Sequence, residues 1–313
     1  MQDSKEAIHS LQHVSLKLQD GLDSTQHIAS KVHCEIESAQ LGSRKKAIDA
    51  WLSAPDPSTN YQQGRRSRQA TTGTWFTSGE VFLRWKDEDN AVLWLHGKPG
   101  CGKTVLSTTV ITELIEECHH ESKTHLAYFF FDFNDLGKQK SEQMVRSLIT
   151  QSVGRSSNTF GEIESLFASC IDGQRQPDIE SLMAALESMI RGESHTYIVV
   201  DALDECSDLH ELLKLIISIK SWKNPRIHLL FTSRGLPSIE EVMGDLAEPA
   251  NKVEIHNSED ISLYVCGRLQ NDSRLHRWRK SPSVQEEIRS SLMQKADGMY
   301  VCWPQFDTKA LEY

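Results

Sequence analysis

At 313 residues the chain is long enough for one large domain or two modest ones, each with a sizeable buried core. A net charge of −10 excludes a general basic field for nucleic acid or for an anionic membrane surface. Seven dispersed cysteines (Cys34, Cys101, Cys118, Cys170, Cys206, Cys266 and Cys302) include no C-x-x-C pair, so neither a zinc site nor a disulfide framework is indicated. The chain has no apolar signal core at its start and no apolar run approaching about 18 residues. The expectation is a soluble cytoplasmic protein with no membrane span and no nucleic-acid partner.

Taken in order, residues 1–53 read as a helical N-terminal segment. Ile8, Leu11, Val14, Leu18, Leu22, Ile28, Val32 and Ile36 recur mostly at three- and four-residue steps, while Gly21 and Gly42 divide the stripe. Residues 54–90 read as a linker and the segment before the phosphate loop. The linker, A-P-D-P-S-T-N-Y-Q-Q-G over 54–64, is rich in turn residues. The next stretch, R-R-S-R-Q-A-T-T-G-T-W-F over 65–76, stands where it would pass over a nucleotide, with Thr72, Gly73, Thr74 and Trp75 touching base or ribose. The competing reading tucks Trp75, Phe76, Phe82 and Trp85 into the core.

Ala91–Thr104 organises the rest. A-V-L-W-L-H is a strand, G-K-P-G-C-G-K-T a glycine-rich turn, and V-L-S-T-T-V-I-T-E-L-I a helix. Strand, G-x-x-x-x-G-K-T and helix together make a P-loop. Its backbone N–H groups and the helix N-terminus would cradle phosphates, placing Gly97, Lys98, Pro99, Gly100, Cys101, Gly102, Lys103, Thr104 and Val105 at a nucleotide. Lys103 would reach the terminal phosphates and the Thr104 hydroxyl would ligate magnesium.

Beyond it, strands at 125–133, 196–206, 226–234 and 252–256 alternate with helices at 141–153, 158–171, 178–191 and 208–219. That alternation predicts an α/β fold with a parallel, doubly wound sheet, a P-loop NTPase core over 91–257. Ligands of such sheets sit at the carboxyl ends of the strands, where Y-I-V-V-D-A-L-D-E (197–205) and F-T-S-R (231–234) both terminate. Asp201 would hold the metal and Asp204 would join its outer shell. Glu205 would activate the attacking water, and Arg234 would contact the terminal phosphate, with Thr232 or Ser233 bonding the same group. Residues 258–313 read as a small helical subdomain.

G-K-P-G-C-G-K-T, Y-I-V-V-D-A-L-D-E-C and L-L-F-T-S-R, in this order, resemble the NACHT domain of STAND P-loop NTPases. W-L-S-A-P-D-P-S-T-N-Y, T-G-T-W-F and K-A-D-G-M-Y are similar to the fungal NOD-like receptor group with its nephrocystin-type N-terminal domain. The resemblance implies a three-layer sandwich and a signalling switch that is closed with ADP or GDP and oligomeric with ATP or GTP and Mg2+. Hydrolysis would be slow or absent. Such proteins act in innate-immunity or incompatibility-like pathways, so the implied partners are further copies of the chain and an effector or sensor protein in trans. About 45 N-terminal residues are few for an effector domain, and no repeats follow, so the expectation is a lone switch core or a truncated product. An active ATPase or kinase and a nucleotide-independent scaffold are the competing functions. The base is left open between adenine and guanine.

Overall fold

The computed structural model describes residues 25, 30–33, 35, 36, 38–68, 72–121, 124–153, 157–191, 195–222, 224, 226–255, 281 and 283–287. The expected subdomain at 258–313 therefore lies almost wholly outside the described residues, apart from a helical turn at 283–287. The chain divides into two compact units, Met1–Leu52 and Ser53–Tyr313. In the first, residues 38–52 are helical.

The second unit is built on five strands: β1 (Val92–His96), β2 (Thr124–Phe130), β3 (His195–Asp201), β4 (Ile227–Ser233) and β5 (Lys252–Glu254). They form one sheet in the order β2-β3-β4-β1-β5, and every pairing is parallel. Parallel neighbours need crossovers, and helices supply them. Ahead of β1 stand α1 (Ser58–Ser67), α2 (Thr74–Thr77) and α3 (Glu80–Asp87); the crossovers are α4 (Lys103–His120) between β1 and β2, α5 (Ser141–Ser152), α6 (Ser157–Ser169) and α7 (Ile179–Ile190) between β2 and β3, α8 (Leu209–Ser221) between β3 and β4, and α9 (Pro237–Leu246) between β4 and β5.

Side chains alternate across the pleat, so each strand feeds both faces. Leu93, Leu95, Leu126, Phe130, Tyr197, Val199 and Leu230 face Leu106, Val110, Ile111 and Leu114 of α4. The alternate set, Trp94, Phe129, Ile198, Val200 and Phe231, is equally buried on the opposite face, where α5 packs on β2 and α8 on α5. Burial on both faces explains the near-continuous apolar runs of these strands. The result is a three-layer α/β sandwich.

Two sequence expectations change here. The turn-rich reading of 54–64 gives way to α1, because Asp56 takes both the Ser58 backbone N–H and the Ser58 hydroxyl at 2.8 Å. Pro57 follows that acid, so the pair acts as a helix start rather than a linker. Helix α9 had no assignment, although Pro237 and the Ile239–Met243 step are its signature.

The segment before the P-loop belongs to the core. Phe76, Phe82 and Trp85 join the α4 side of the sheet, and the Trp85 indole donates to the Leu229 carbonyl at 3.1 Å. Full burial of side chains this large stabilises by about 1.5–3 kcal/mol each. Gly64 lets α1 close onto α4, since a Cβ there would stand 2.2 Å from Thr108 Oγ1. The tucked reading therefore holds for three of the four aromatics, while Trp75 stays 46 % exposed.

Candidate nucleotide site

β1 ends at His96 and the Gly97 N–H donates to the Ser233 carbonyl, which ties the start of the loop to the tip of β4. Gly100 and Gly102 have φ of 71° and 96°, left-handed values that a side chain would strain. They let the chain curl before α4 begins at Lys103, so the positive end of that helix faces the mouth of the loop. Lys103 Nζ donates to the carbonyls of Gly97 at 2.8 Å and Lys98 at 2.9 Å. Cys101 is buried beneath the loop with its Sγ 3.8 Å from Lys103 Nζ, and burial pushes its thiol up. Cys101 is not among the residues that line the cleft.

Asp201 closes β3 and is almost fully buried. Three hydroxyls donate to it: Thr104 at 2.7 Å, Ser107 at 2.6 Å and Thr232 at 2.7 Å. A carboxylate this buried persists when its lone pairs are filled. The sheet register sets Phe231 beside both Val200 and Trp94, which brings the tips of β1, β3 and β4 to one level. Thr232 also accepts the Ala202 N–H at 2.9 Å, holding the left-handed turn that follows Asp201. Ser233, by contrast, accepts from the Trp94 indole at 2.9 Å and serves the fold.

The two acids after this turn diverge. Asp204 turns to Arg234, taking its backbone N–H at 2.9 Å and its Nε at 2.5 Å. Glu205 turns to the loop after β2, where its Oε2 accepts the Phe133 N–H at 3.0 Å. Burial pushes the Glu205 carboxyl above its ordinary range; the Phe133 N–H opposes this, and Asp204, Asp132 and Asp201 add to it.

These groups line one cleft of ≈ 450 Å³, within the range of small-molecule sites. Pro99, Gly100, Gly102, Lys103, Thr104 and Val105 form one wall, and Asp201, Asp204, Glu205, Thr232 and Arg234 the other. Gly97 and Lys98 enter as the carbonyls that hold Lys103. Thr74 and Trp75 do not line the cleft; Ser67 and Thr72 do. The Thr72 hydroxyl is buried without a hydrogen-bond partner, while its carbonyl accepts Arg68 Nε at 3.2 Å. Ser107, Phe133 and the Asp201 contact of Thr232 were missed from sequence. The signal for Ser107 was available, one helical turn after Thr104 and on the same face of α4.

Among the described residues no group of three or more His, Cys, Asp or Glu side chains could hold a metal alone. A threonine hydroxyl touching a buried carboxylate is a hard oxygen pair, and it suits magnesium, which takes one or two protein groups and completes its shell with water and phosphate. No described helix is long and apolar enough to cross a membrane.

Residues 71–234 match the family model described as nephrocystin 3, N-terminal. A relative is the vegetative incompatibility protein HET-E-1 of Podospora anserina, 28 % identical over 237 residues. That alignment covers 72 % of this chain but 17 % of the relative, so the chain spans about a sixth of its length. Among solved structures, the Aeropyrum pernix ORC1 protein in complex with DNA aligns at 16 % identity and TM-score 0.41, covering 57 % of this chain and 44 % of that one. Drosophila ORC bound to DNA aligns at 15 % identity and TM-score 0.40, covering 76 % and 61 %. The family match takes in more than half of the chain, from the segment before the P-loop through Arg234, and the chain belongs to the nephrocystin 3 N-terminal family, as a P-loop NTPase domain of the NACHT type.

Proposed function

We propose that this domain is a nucleotide-dependent switch: it holds ADP or GDP at rest, takes up ATP or GTP with Mg2+, and hydrolyses slowly. The observation that carries the reading is the 2.7 Å bond from Thr104 on the P-loop helix to Asp201 at the tip of β3. It joins the phosphate-binding and metal-binding halves of the site, which lie 97 residues apart in sequence.

In this reading Thr104 and Asp201 hold the metal, which neutralises phosphate charge when bound. Lys103 exchanges its two carbonyl partners for phosphate oxygens. Ser107 and Thr232 hold the Asp201 carboxylate in orientation. Glu205, one oxygen on the Phe133 N–H, is left with the other to orient water. Arg234 is the terminal-phosphate contact once it leaves Asp204, and Asp204 serves as its resting partner. Ser67 and Thr72 line the cleft and are assigned to the base or ribose end, with Thr74 and Trp75 following on the same segment. The incompatibility function named for the fungal relative supports signalling as the setting, with a second copy or a separate effector as partner.

The test is to purify the full chain under native conditions, denature it and identify the released nucleotide by chromatography. Stoichiometric diphosphate is expected from the wild type and none from Lys103→Ala, with loss of at least about 100-fold in affinity, on the order of 3 kcal/mol for a charge-assisted phosphate contact. A folded wild type that is empty and takes up neither ATP nor GTP overturns the reading.

A further inference from the structure

The most completely buried ammonium in the described part of the second unit has no place in the site above. Lys138 follows β2, its side chain is 6 % exposed, and it reaches across to α1. Its Nζ donates to Thr59 Oγ1 at 2.8 Å and Asn60 Oδ1 at 2.5 Å, with Asp135 Oδ2 at 3.5 Å. An ammonium has three donors and withstands burial only when they are engaged; here each has a partner.

Asn60 grips the same loop at a second point. Its Nδ2 donates to Asp132 Oδ2 at 3.2 Å, so one amide side chain clasps both ends of residues 132–138. The loop is closed on itself by Asp132 N–H to the Lys138 carbonyl and Lys138 N–H to the Asp135 carbonyl. On its far side Gln139 Nε2 donates to the Phe133 carbonyl at 2.6 Å, and Ser207 donates its N–H to the Gln139 carbonyl at 2.8 Å. Phe133, one residue after the Asn60 contact, presents the N–H that holds Glu205. A continuous set of bonds thus runs from α1 to the cleft.

We propose that Asn60 and Lys138 are positioning residues for Glu205: through the 132–138 loop, α1 sets where the Phe133 N–H stands and hence where the carboxylate points. This rests on the reading of Glu205 as the group that orients water. Hydrolysis then depends on two side chains that touch no nucleotide, and a displacement of the first turn of α1, which carries Asn60, turns it down without emptying the site. Misplacement of an orienting group by about 1 Å costs up to roughly 100-fold in rate, so a small shift suffices.

The experiment is single-turnover hydrolysis of ATP and of GTP by the full chain, with nucleotide affinity measured in parallel. Asn60→Ala removes the clasp and leaves Lys138 with Thr59 and Asp135; Lys138→Met removes the charge but keeps the stem, so the pair separates loss of the clasp from loss of a partner to a buried charge. Each is expected to lower the hydrolysis rate about tenfold with affinity within about twofold, and the double variant to be no worse than the single ones, as for residues acting through one path. In a Glu205→Gln background Asn60→Ala is expected to change nothing further. An unaltered rate in Asn60→Ala, or an equal drop with and without Glu205, overturns the proposal while the Glu205 reading stands. Full turnover in Glu205→Gln, or none in the wild type, removes that reading and the proposal with it.

Discussion

Arg234 and Asp204 are joined twice, by the arginine backbone N–H to Oδ1 at 2.9 Å and by Nε to Oδ2 at 2.5 Å. The carboxylate side chain is 4 % exposed and the guanidinium 48 %, so the acid is the buried partner and the base keeps a face towards solvent and the cleft. A terminal phosphate and Asp204 would compete for the same fork. The Asp204 contact pushes Arg234 still higher, so it stays charged in either state.

Arg234→Ala is expected to lower stability by about 1–2 kcal/mol, because it strands a buried carboxylate while the backbone bond persists. Asp204→Ala is expected to raise the affinity for triphosphate relative to diphosphate by releasing the guanidinium. Thermal melts and paired titrations with both nucleotides check the two effects. Equal gains for diphosphate and triphosphate would remove terminal-phosphate sensing from Arg234.

Gly64 packs directly on the P-loop helix, with Thr108 Oγ1 2.2 Å and Thr108 Cβ 3.1 Å from the place of a Cβ. The obstructing hydroxyl donates to the Thr104 carbonyl at 2.7 Å, so it cannot swing away without loss. Gly64→Ala is expected to cost about 1–3 kcal/mol in denaturant unfolding, the usual range for forced overpacking. The double variant Gly64→Ala, Thr108→Ala is expected to recover most of it. Failure of that recovery would place the strain elsewhere.

His228 lies buried in β4, away from the cleft, with Nδ1 3.0 Å from the Trp85 carbonyl and Nε2 3.1 Å from His195 Nδ1. The carbonyl can only accept, so Nδ1 carries the proton and Nε2 takes one from His195. Burial holds the His228 pKa below its ordinary 6.5; the Trp85 carbonyl opposes this, and His195 reinforces it. A histidine with a lowered folded pKa binds fewer protons folded than unfolded below about pH 6.5. Stability is therefore full above that pH and falls as the pH drops through 6.5 towards the folded value. Urea unfolding from pH 7.5 to 5.5 is expected to show this slope in the wild type and a shallower one in His228→Gln. The same slope in both would assign it to other groups.

Much of the site was legible in the chain because it is written in backbone geometry and strand ends. The glycines at 100 and 102 are needed for left-handed turns, and Lys103 and Thr104 follow at the helix start, so local spacing alone located the loop. Asp201 was legible because an apolar strand buried on both faces must end where its first acid appears. The α/β class followed from the alternation of strands and helices.

What local pattern could not supply was partnership across the sheet. Strand order sets β4 between β1 and β3, and only this brings Thr232 to Asp201 and the Arg234 backbone to Asp204. Asp204 and Glu205 are adjacent in sequence and identical in charge, yet one meets an arginine and the other a backbone N–H, because the turn after Ala202 sends them to different neighbours. At 54–64 the turn residues masked the Asp56-Pro57 start of α1, which gains from packing Tyr61 and Gly64 on α4 what its composition lacks in helix propensity. Composition and short-range spacing determined where the phosphate loop lies and which strands surround it. Which side chains pair around it was decided by contacts between residues 30 to 100 positions apart, whose geometry exists only once the sheet has closed.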